Sequence, residues 1–195
     1  MIDRVDVAVV VMAYRREPCR PLARWLVWLH DGGAAVTFSE DNARIDRVRE
    51  IAAREFLAEE GREGQRRMIQ VDADTCPTPE AAAGLLARDG ELLYCSYAGR
   101  NGRTGHGPGA DFGCGCFRVA ASLLWRMGEP RFMAAEATDA CECVRFGLRA
   151  IAAGGVPTCV GPAYHQDIAY RLLGPDGRVT YMDERDVLAR QQQGE

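Results

Sequence analysis

A nearly continuous run of apolar and mostly β-branched residues, Val5–Met12, restricts the fold of this chain more than any other feature. Such a run is typical of a strand that is buried on both faces, as in a parallel sheet covered by helices. Two further predicted strands, Ala34–Phe38 and Arg67–Val71, lead directly into acidic residues. The sequence therefore predicts a buried sheet with carboxylates at the ends of its strands.

Segments with the periodicity of amphipathic helices separate these strands. Leu22–His30 and Ile45–Glu60 place apolar residues at helical spacing and end close to glycines. The remaining predicted elements are a helix from Pro77 to Leu86, a strand at Glu91–Tyr97, a strand at Phe112–Arg118, a helix at Val119–Met127, a helix at Cys141–Ala153 and a strand at Val156–Val160. Strands that alternate with helices predict an α/β fold with a mostly parallel sheet.

Length and composition exclude several classes of protein. A chain of 195 residues has the length of one domain. Its 47% hydrophobic and 27% charged residues are those of an ordinary globular protein. The formal net charge of -4 argues against nonspecific attraction to nucleic acid or to an anionic membrane. All 24 basic residues are arginine, so every cationic side-chain contact is made by a planar guanidinium.

Other segments bear on localisation and on the chain outside the core. The sequence has neither a signal peptide nor an apolar stretch of about 20 residues, which predicts a cytoplasmic protein without a transmembrane segment. Gly99–Gly109 holds five glycines in eleven residues and predicts a loop. After His165 the chain turns polar, and we expect residues 171–195 to form a C-terminal extension whose end, Gln191–Glu195, is disordered.

The sequence Asp72-Ala73-Asp74 follows a buried strand, so its two carboxylates, two residues apart, point the same way. In open parallel sheets, ligands bind at the carboxyl ends of the strands. Hard carboxylates at such a place suit Mg²⁺ or Mn²⁺ that bridges a diphosphate. A D-x-D sequence is also common by chance. The alternative is a turn in which Asp74 caps the helix that begins near Pro77.

Four segments occur in the order found in nucleotide-sugar glycosyltransferases of the A fold. They are Gln70–Thr75 (QVDADT), Phe112–Arg118 (FGCGCFR), Glu142–Ala150 (ECVRFGLRA) and Gly154–His165. The chain resembles the family 2-like members, which show a strand ending in D-x-D, a G-x-G segment, an E-D-x-x-F-x-x-R helix and a late histidine. Over residues 1–170 the resemblance implies a single-domain, Rossmann-like catalytic sandwich.

The resemblance implies an enzyme that moves a sugar from a nucleoside diphosphate sugar to an acceptor hydroxyl, with Mn²⁺ or Mg²⁺ as cofactor. It implies metal binding by Asp72, Asp74 and His165. The implied nucleotide-sugar-binding residues follow strands or belong to the G-x-G segment, and they are Ala13, Tyr14, Arg15, Glu40, Asp41, Arg67, Asp72, Ala73, Gly113, Cys114 and Gly115. The acceptor stays open among a glycan, a lipid-linked sugar, a protein and a modified nucleobase, and so does the oligomeric state.

The sequence departs from the family at the catalytic base of its inverting members. The second acid of the E-D pair is replaced by Cys143, and a thiol is a poor general base at an oxocarbenium-like centre. Glu142, Asp111 and Asp139 are the candidate catalytic residues in its place. The alternative is that no enzymic base is used, as in retaining members.

Two more departures bear on function. The family's arginine-containing segment before D-x-D is missing, and we expect Arg62, Arg66 and Arg67 to replace its cation in part. No Gly-rich basic phosphate loop follows the first strand, which disfavours a second hypothesis, a nucleotidyltransferase of similar fold. A third hypothesis, a degenerate non-catalytic nucleotide-sugar-binding homologue, follows from Cys143.

Two C-x-C pairs, Cys114 with Cys116 and Cys141 with Cys143, lie within the resembling segments. Four thiolates would make a zinc site, although zinc-binding cysteines are usually separated by two to four residues. A redox-sensitive disulfide and a purely structural role as small buried side chains are the alternatives. The sequence leaves these three interpretations open.

Overall fold

The computed structural model describes residues 6–13, 17–39, 44–60, 66–97, 112–133, 141–166 and 169–193. Several sequence-based predictions fall outside these ranges. They are the nucleotide-sugar-binding roles of Tyr14, Arg15, Glu40 and Asp41, the catalytic roles of Asp111 and Asp139, the contribution of Arg62 and the loop at Gly99–Gly109.

Nine strands and six helices occupy the described ranges. The strands are β1 (Val7–Met12), β2 (Ala35–Ser39), β3 (Arg67–Asp72), β4 (Thr75–Pro77), β5 (Leu92–Ser96), β6 (Cys116–Ala120), β7 (Pro157–Gln166), β8 (Tyr170–Leu173) and β9 (Val179–Met182). The helices are α1 (Arg20–Asp31), α2 (Ile45–Glu60), α3 (Pro79–Ala87), α4 (Ala121–Met127), α5 (Glu142–Ala152) and α6 (Glu184–Gln193). None of these helices combines the length and the apolar character needed to cross a bilayer.

The strands form a sheet in the order β2-β1-β3-β6-β5-β7-β8-β9, and β4 pairs with β7. Strand β1 pairs in parallel with β2 and β3, and β5 pairs in parallel with β7. Strand β6 runs antiparallel to both of its neighbours, β3 and β5. Strands β1, β2, β3, β5 and β7 thus share one direction. The predicted α/β fold with a mostly parallel central sheet is confirmed, with β6 as its reversed strand.

The sheet separates two layers of core, one on each face. Val9 of β1 packs into one layer and Ala8 into the other, because successive side chains of a strand point to opposite faces. The first layer includes Leu22, Leu85 and Val187 from α1, α3 and α6, and the second includes Phe56, Leu124 and Phe146 from α2, α4 and α5. Helices therefore cover both faces, which is why β1 has an unbroken apolar sequence.

One edge of the sheet collects the carboxyl ends of β1, β3, β5 and β7. The reversed strand β6 begins at this edge, since Val71 of β3 lies opposite Cys116. Met12 lies opposite Asp72, and His165 of β7 lies opposite Thr75. The reversal of β6 therefore brings the G-x-G segment, which precedes it, to the same edge as the aspartates.

The chain after His165 is ordered further than its polar sequence suggests. Strands β8 and β9 continue the sheet from β7 by antiparallel pairing. The side-chain amide of Gln191 in α6 donates hydrogen bonds to the carbonyl oxygen of Pro21 at 3.2 Å and to Sγ of Cys76 at 3.3 Å. Residues 191–193, expected to be disordered, therefore belong to helix α6. The domain boundary at residue 170 stays a prediction.

A buried ion pair joins helix α2 to the segment after α4. The Glu50 carboxylate accepts hydrogen bonds from the backbone N–H groups of Arg131 at 2.7 Å and Phe132 at 2.8 Å. It also accepts one from the Arg131 guanidinium at 3.1 Å, and both side chains are almost fully buried. Three donors thus depend on one carboxylate that water does not reach.

Glu50→Ala is expected to lower the free energy of unfolding by about 3–5 kcal/mol, because it removes the buried partner of the Arg131 guanidinium and leaves only the longer contact with Glu129 at 3.5 Å. The matched control is Arg54→Ala, which removes the exposed pair between Arg54 and Glu129 and is expected to cost about 0–1 kcal/mol. Urea unfolding of the two variants and the parent protein measures both values. A loss in Glu50→Ala no larger than that of the control would contradict the structural role of the buried pair.

Candidate functional site

Asp72 and Asp74 stand at the carboxyl end of β3, in a turn that several backbone hydrogen bonds hold in place. Asp72 donates its N–H to the carbonyl oxygen of Gly115 at 2.8 Å, and Ala73 donates to that of Met12 at 3.2 Å. The carbonyl oxygen of Ala73 accepts from Cys19 at 2.7 Å. The two carboxylates remain partly exposed, with 29% and 22% of their side-chain surfaces accessible. The turn therefore presents both to solvent from a fixed backbone.

A buried arginine on helix α2 lies beneath Asp72. The Nη2 atom of Arg49 is 2.7 Å from Oδ1 of Asp72, and its Nη1 atom donates to Oε1 of Gln70 at 3.3 Å. Only 1% of the Arg49 side chain is exposed. Sequence reasoning missed this residue. The available signal was its position on the apolar stripe of α2, where an unpaired charge is rarely found.

The cations that the sequence suggested lie elsewhere. Arg67 begins β3 and stands at the opposite edge of the sheet, roughly 16 Å along the strand from Asp72. Arg66 pairs with Glu60 at 2.7 Å. Arg67 and Asp72 are thus the first and last residues of one six-residue strand, and the predicted contact of Arg67 with the nucleotide sugar stays a prediction. Arg49 supplies the positive charge at the aspartates instead.

Burial and charge act in opposite directions on this ion pair. Burial raises the pKa of Asp72 to about 6, against the opposing effect of Arg49, and the nearby Asp74 raises it further. Burial alone would lower the pKa of Arg49, but Asp72 and the thiol and carboxyl groups around it leave that pKa raised. Arg49 is thus a permanent cation, whereas Asp72 changes its charge near neutral pH.

His165 approaches Asp74 from the end of β7. Its Nε2 atom is 3.8 Å from Oδ1 of Asp74, and its Nδ1 atom is 2.8 Å from Nη2 of Arg171 in β8. A guanidinium only donates hydrogen bonds, so Nδ1 accepts and the neutral ring carries its proton on Nε2. A nitrogen that carries a proton has no lone pair for a metal ion. The arrangement does not fit the predicted role of His165 as a metal ligand.

The glycines of the G-x-G segment make room for the ring of Tyr97, which follows β5. A Cβ atom on Gly113 would lie 2.6 Å from Cε1 of Tyr97, and one on Gly115 would lie 2.9 Å from the same atom. On its other side the Tyr97 ring stacks on His165 with 5.6 Å between ring centroids. We expected these glycines to allow close approach of a donor sugar. In the described residues the group that approaches them is Tyr97.

Helix α5 brings Glu142 and Cys143 to the same region. The backbone N–H of Cys114 donates to Sγ of Cys143 at 3.3 Å, and that thiol lies 3.5 Å from Oε1 of Glu142. Glu142 is partly exposed at the first position of the helix, whereas Cys114 is fully buried. Glu142 therefore stays available as a catalytic carboxylate. The buried Cys114 side chain is not presented to a donor sugar.

Two further predicted binding residues, Ala13 and Ala73, directly follow strands β1 and β3. Ala13, partly exposed after β1, donates its N–H to the carbonyl oxygen of Ser39 at the end of β2, at 3.3 Å. The side chain of Ala73 packs into the core below the turn. Ala13 thus lies at the expected edge, beside residues outside the described ranges, while Ala73 offers only its backbone.

Comparisons with known proteins bear on the fold. No protein-family model matches the chain, and no curated protein matches it. The inositol-1-phosphate CTP transferase from T. maritima is similar in structure, with a TM-score of 0.51 and 12% identity over 100% of this chain and 99% of that one. The chain thus has a glycosyltransferase A-like fold, the fold of nucleotide-sugar and nucleotidyl transferases.

Two solved glycosyltransferases are more distant in structure. One, involved in the glycosylation of the major capsid of PBCV-1, gives a TM-score of 0.44 at 14% identity over 70% of this chain and 72% of that one. The other is a Drosophila β-1,4-galactosyltransferase mutant in complex with manganese, UDP-Gal and xylobiose. It gives a TM-score of 0.46 at 15% identity over 96% of this chain and 75% of that one.

Binding of Mn²⁺ to the purified protein is expected to weaken by about tenfold for each pH unit below about 6, where Asp72 takes up a proton that competes with the cation. Above that pH the carboxylate is charged and the affinity should level off. Electron paramagnetic resonance of free Mn²⁺ measures the bound fraction. In Asp72→Asn the dependence between pH 5 and 7 should disappear, and an affinity of the parent protein that is equal at pH 5 and 7 would contradict the assignment.

Gly113→Ala is expected to lower the free energy of unfolding by about 1–3 kcal/mol, because its methyl group would overlap the Tyr97 ring. The same substitution in a Tyr97→Ala background should cost little, since the obstructing ring is gone. Urea unfolding of the parent protein, the two single variants and the double variant provides the four free energies of a double-mutant cycle. Equal costs in the two backgrounds would show that Tyr97 is not the reason for glycine at this position.

Proposed function

We propose that this protein is a metal-dependent glycosyltransferase that moves a sugar from a nucleoside diphosphate sugar to an acceptor hydroxyl. The observation that carries the proposal is the pair of partly exposed carboxylates, Asp72 and Asp74, fixed at the carboxyl end of β3. In sheets of this kind the ligand site lies at that edge. Each of the four sequence segments that resemble the glycosyltransferase family contributes one residue near that edge, namely Asp72, Gly115, Glu142 and His165.

The donor set fits a hard divalent cation. Among the described residues, Arg49 pairs with Oδ1 of Asp72, which leaves Oδ2 for a cation, and Asp74 offers a second carboxylate two residues away. Oxygen ligands of this kind suit Mg²⁺ and Mn²⁺. When bound, such a cation would offset the negative charge of the leaving nucleoside diphosphate.

Arg49, His165 and Glu142 have distinct roles in the proposed reaction. Arg49 keeps Asp72 in place and reduces the repulsion between the two aspartates. His165, with its proton on Nε2 and Asp74 at 3.8 Å, would donate a hydrogen bond to a phosphate oxygen bound between them. Among the residues that the structure describes, Glu142 is the candidate for the base that accepts the proton of the acceptor hydroxyl, since Cys143 has no carboxylate.

A nucleotidyltransferase is the second candidate. The structural similarity to a CTP transferase extends over nearly the full length of both chains, which favours this class. The missing Gly-rich basic loop after β1 disfavours it. The two candidates differ in their products, since a glycosyltransferase releases a nucleoside diphosphate and a nucleotidyltransferase releases pyrophosphate from a nucleoside triphosphate.

The first experiment is a thermal-shift screen of nucleoside diphosphates and their sugars with Mn²⁺, Mg²⁺ or EDTA. A ligand at about 100 times its Kd adds about 2.7 kcal/mol of stability. For a domain of this size that corresponds to roughly 5–10 °C in Tm. We expect one nucleotide to produce such a shift with the metal and not with EDTA.

Asp74→Asn is expected to abolish the metal-dependent shift. The matched control is Asp176→Asn, which changes an exposed aspartate in the turn between β8 and β9 and should leave the shift unchanged. An unaltered shift in Asp74→Asn would overturn the metal assignment. A shift without release of nucleoside diphosphate or pyrophosphate would instead favour a non-catalytic nucleotide-sugar-binding homologue.

A further inference from the structure

Two cysteines and one carboxylate meet at the N-terminus of helix α5, and Cys114 lies beside them. The backbone N–H of Cys114 donates a hydrogen bond to Sγ of Cys143 at 3.3 Å. The ligand atoms of Cys141, Glu142 and Cys143 all lie within 4.8 Å of one another, and Cys114 is not a member of this group. In a tetrahedral zinc site with Zn–S distances of about 2.3 Å, neighbouring donor atoms are about 3.8 Å apart. The three side chains are therefore near the spacing of such a site.

The three donors differ from the four cysteines that the sequence suggested as a zinc site. Cys116 belongs to the core layer under α1 and α3, whereas Cys114 and Cys143 lie in the other layer. Cys114 contacts Cys143 through its backbone N–H and is not one of the donors. Glu142 is the third donor beside Cys141 and Cys143.

The surroundings of the cluster favour a cation. The N-terminus of a helix stabilises thiolates, and Cys141 is the N-cap of α5. Without a cation, the contact with Cys114, together with burial, raises the pKa of the Cys143 thiol, which favours its protonated form. Metal binding must then release protons, as it does at other cysteine sites.

We propose that Cys141, Glu142 and Cys143 form a binding site for a thiophilic divalent cation of the zinc class, with the remaining coordination position open to solvent or substrate. The sulfur donors separate it from the site at Asp72 and Asp74, whose oxygen donors suit hard cations. Two cation sites of different chemical preference thus lie at one edge of the sheet.

This inference does not depend on the proposed transferase activity, because it concerns binding alone. Where both hold, a cation on Glu142 removes the candidate base, so zinc would inhibit sugar transfer. A disulfide between two of these thiols is the competing fate of the cluster, and it excludes the cation because it consumes two of the donors.

The test is a titration of the reduced protein with Co²⁺, under nitrogen and in the presence of excess Mg²⁺ to occupy the oxygen-donor site. Bound thiolates give Co²⁺ an intense charge-transfer absorption in the near ultraviolet, which oxygen ligands do not produce. We expect one equivalent of Co²⁺ to saturate this band, and Zn²⁺ to remove it. The apparent affinity should increase with pH because protons are released.

Cys143→Ser is expected to abolish the band, and so is Cys141→Ser, which changes a partly exposed residue at the rim of the core. The matched control, Cys159→Ser, alters an exposed cysteine outside the cluster and should retain the band. Circular dichroism confirms that each variant is folded. Absence of the band in the parent protein, or its persistence in both cluster variants, would overturn the proposal. No nucleotide is present, so failure here is separate from failure of the proposed transferase activity.

Discussion

The ion pair between Arg49 and Asp72 connects the core of this protein to its candidate site. A guanidinium without access to water is costly unless a carboxylate compensates it, so helix α2 and the end of β3 must stay together. The next residue of α2, Glu50, makes a second buried pair with Arg131. Two consecutive side chains of one helix thus fix both the aspartate turn and the segment that packs against α5.

The reversed direction of β6 determines which groups meet at the edge of the sheet. It brings Gly113 and Gly115 beneath Tyr97, whose ring in turn stacks on His165. It also leaves Cys114 beside helix α5 while Cys116 enters the opposite core layer. A parallel strand in the same place would have carried the G-x-G segment to the far edge, away from the aspartates.

The fold was largely predictable because apolar periodicity reports burial directly, as the unbroken sequence of β1 shows. The aspartates of the site were predictable for a similar reason, since residues that follow parallel strands share an edge. The roles of Arg49 and Tyr97 could not be predicted, because each role depends on which residue, distant in the sequence, the side chain contacts. Helix α6 escaped prediction since its attachment depends on Val187 and Gln191 within an otherwise polar sequence.

The late position of Arg171 has a consequence for the order in which the site is built during synthesis. Ribosomes deliver the chain from its N-terminus, and domains generally fold as units once enough of them has emerged. His165 leaves the ribosome before the arginine that fixes its proton, and before the strands and helix that cover Cys76. The last residues to be synthesised thus complete both the core layer under α1 and the edge of the sheet that carries the candidate site.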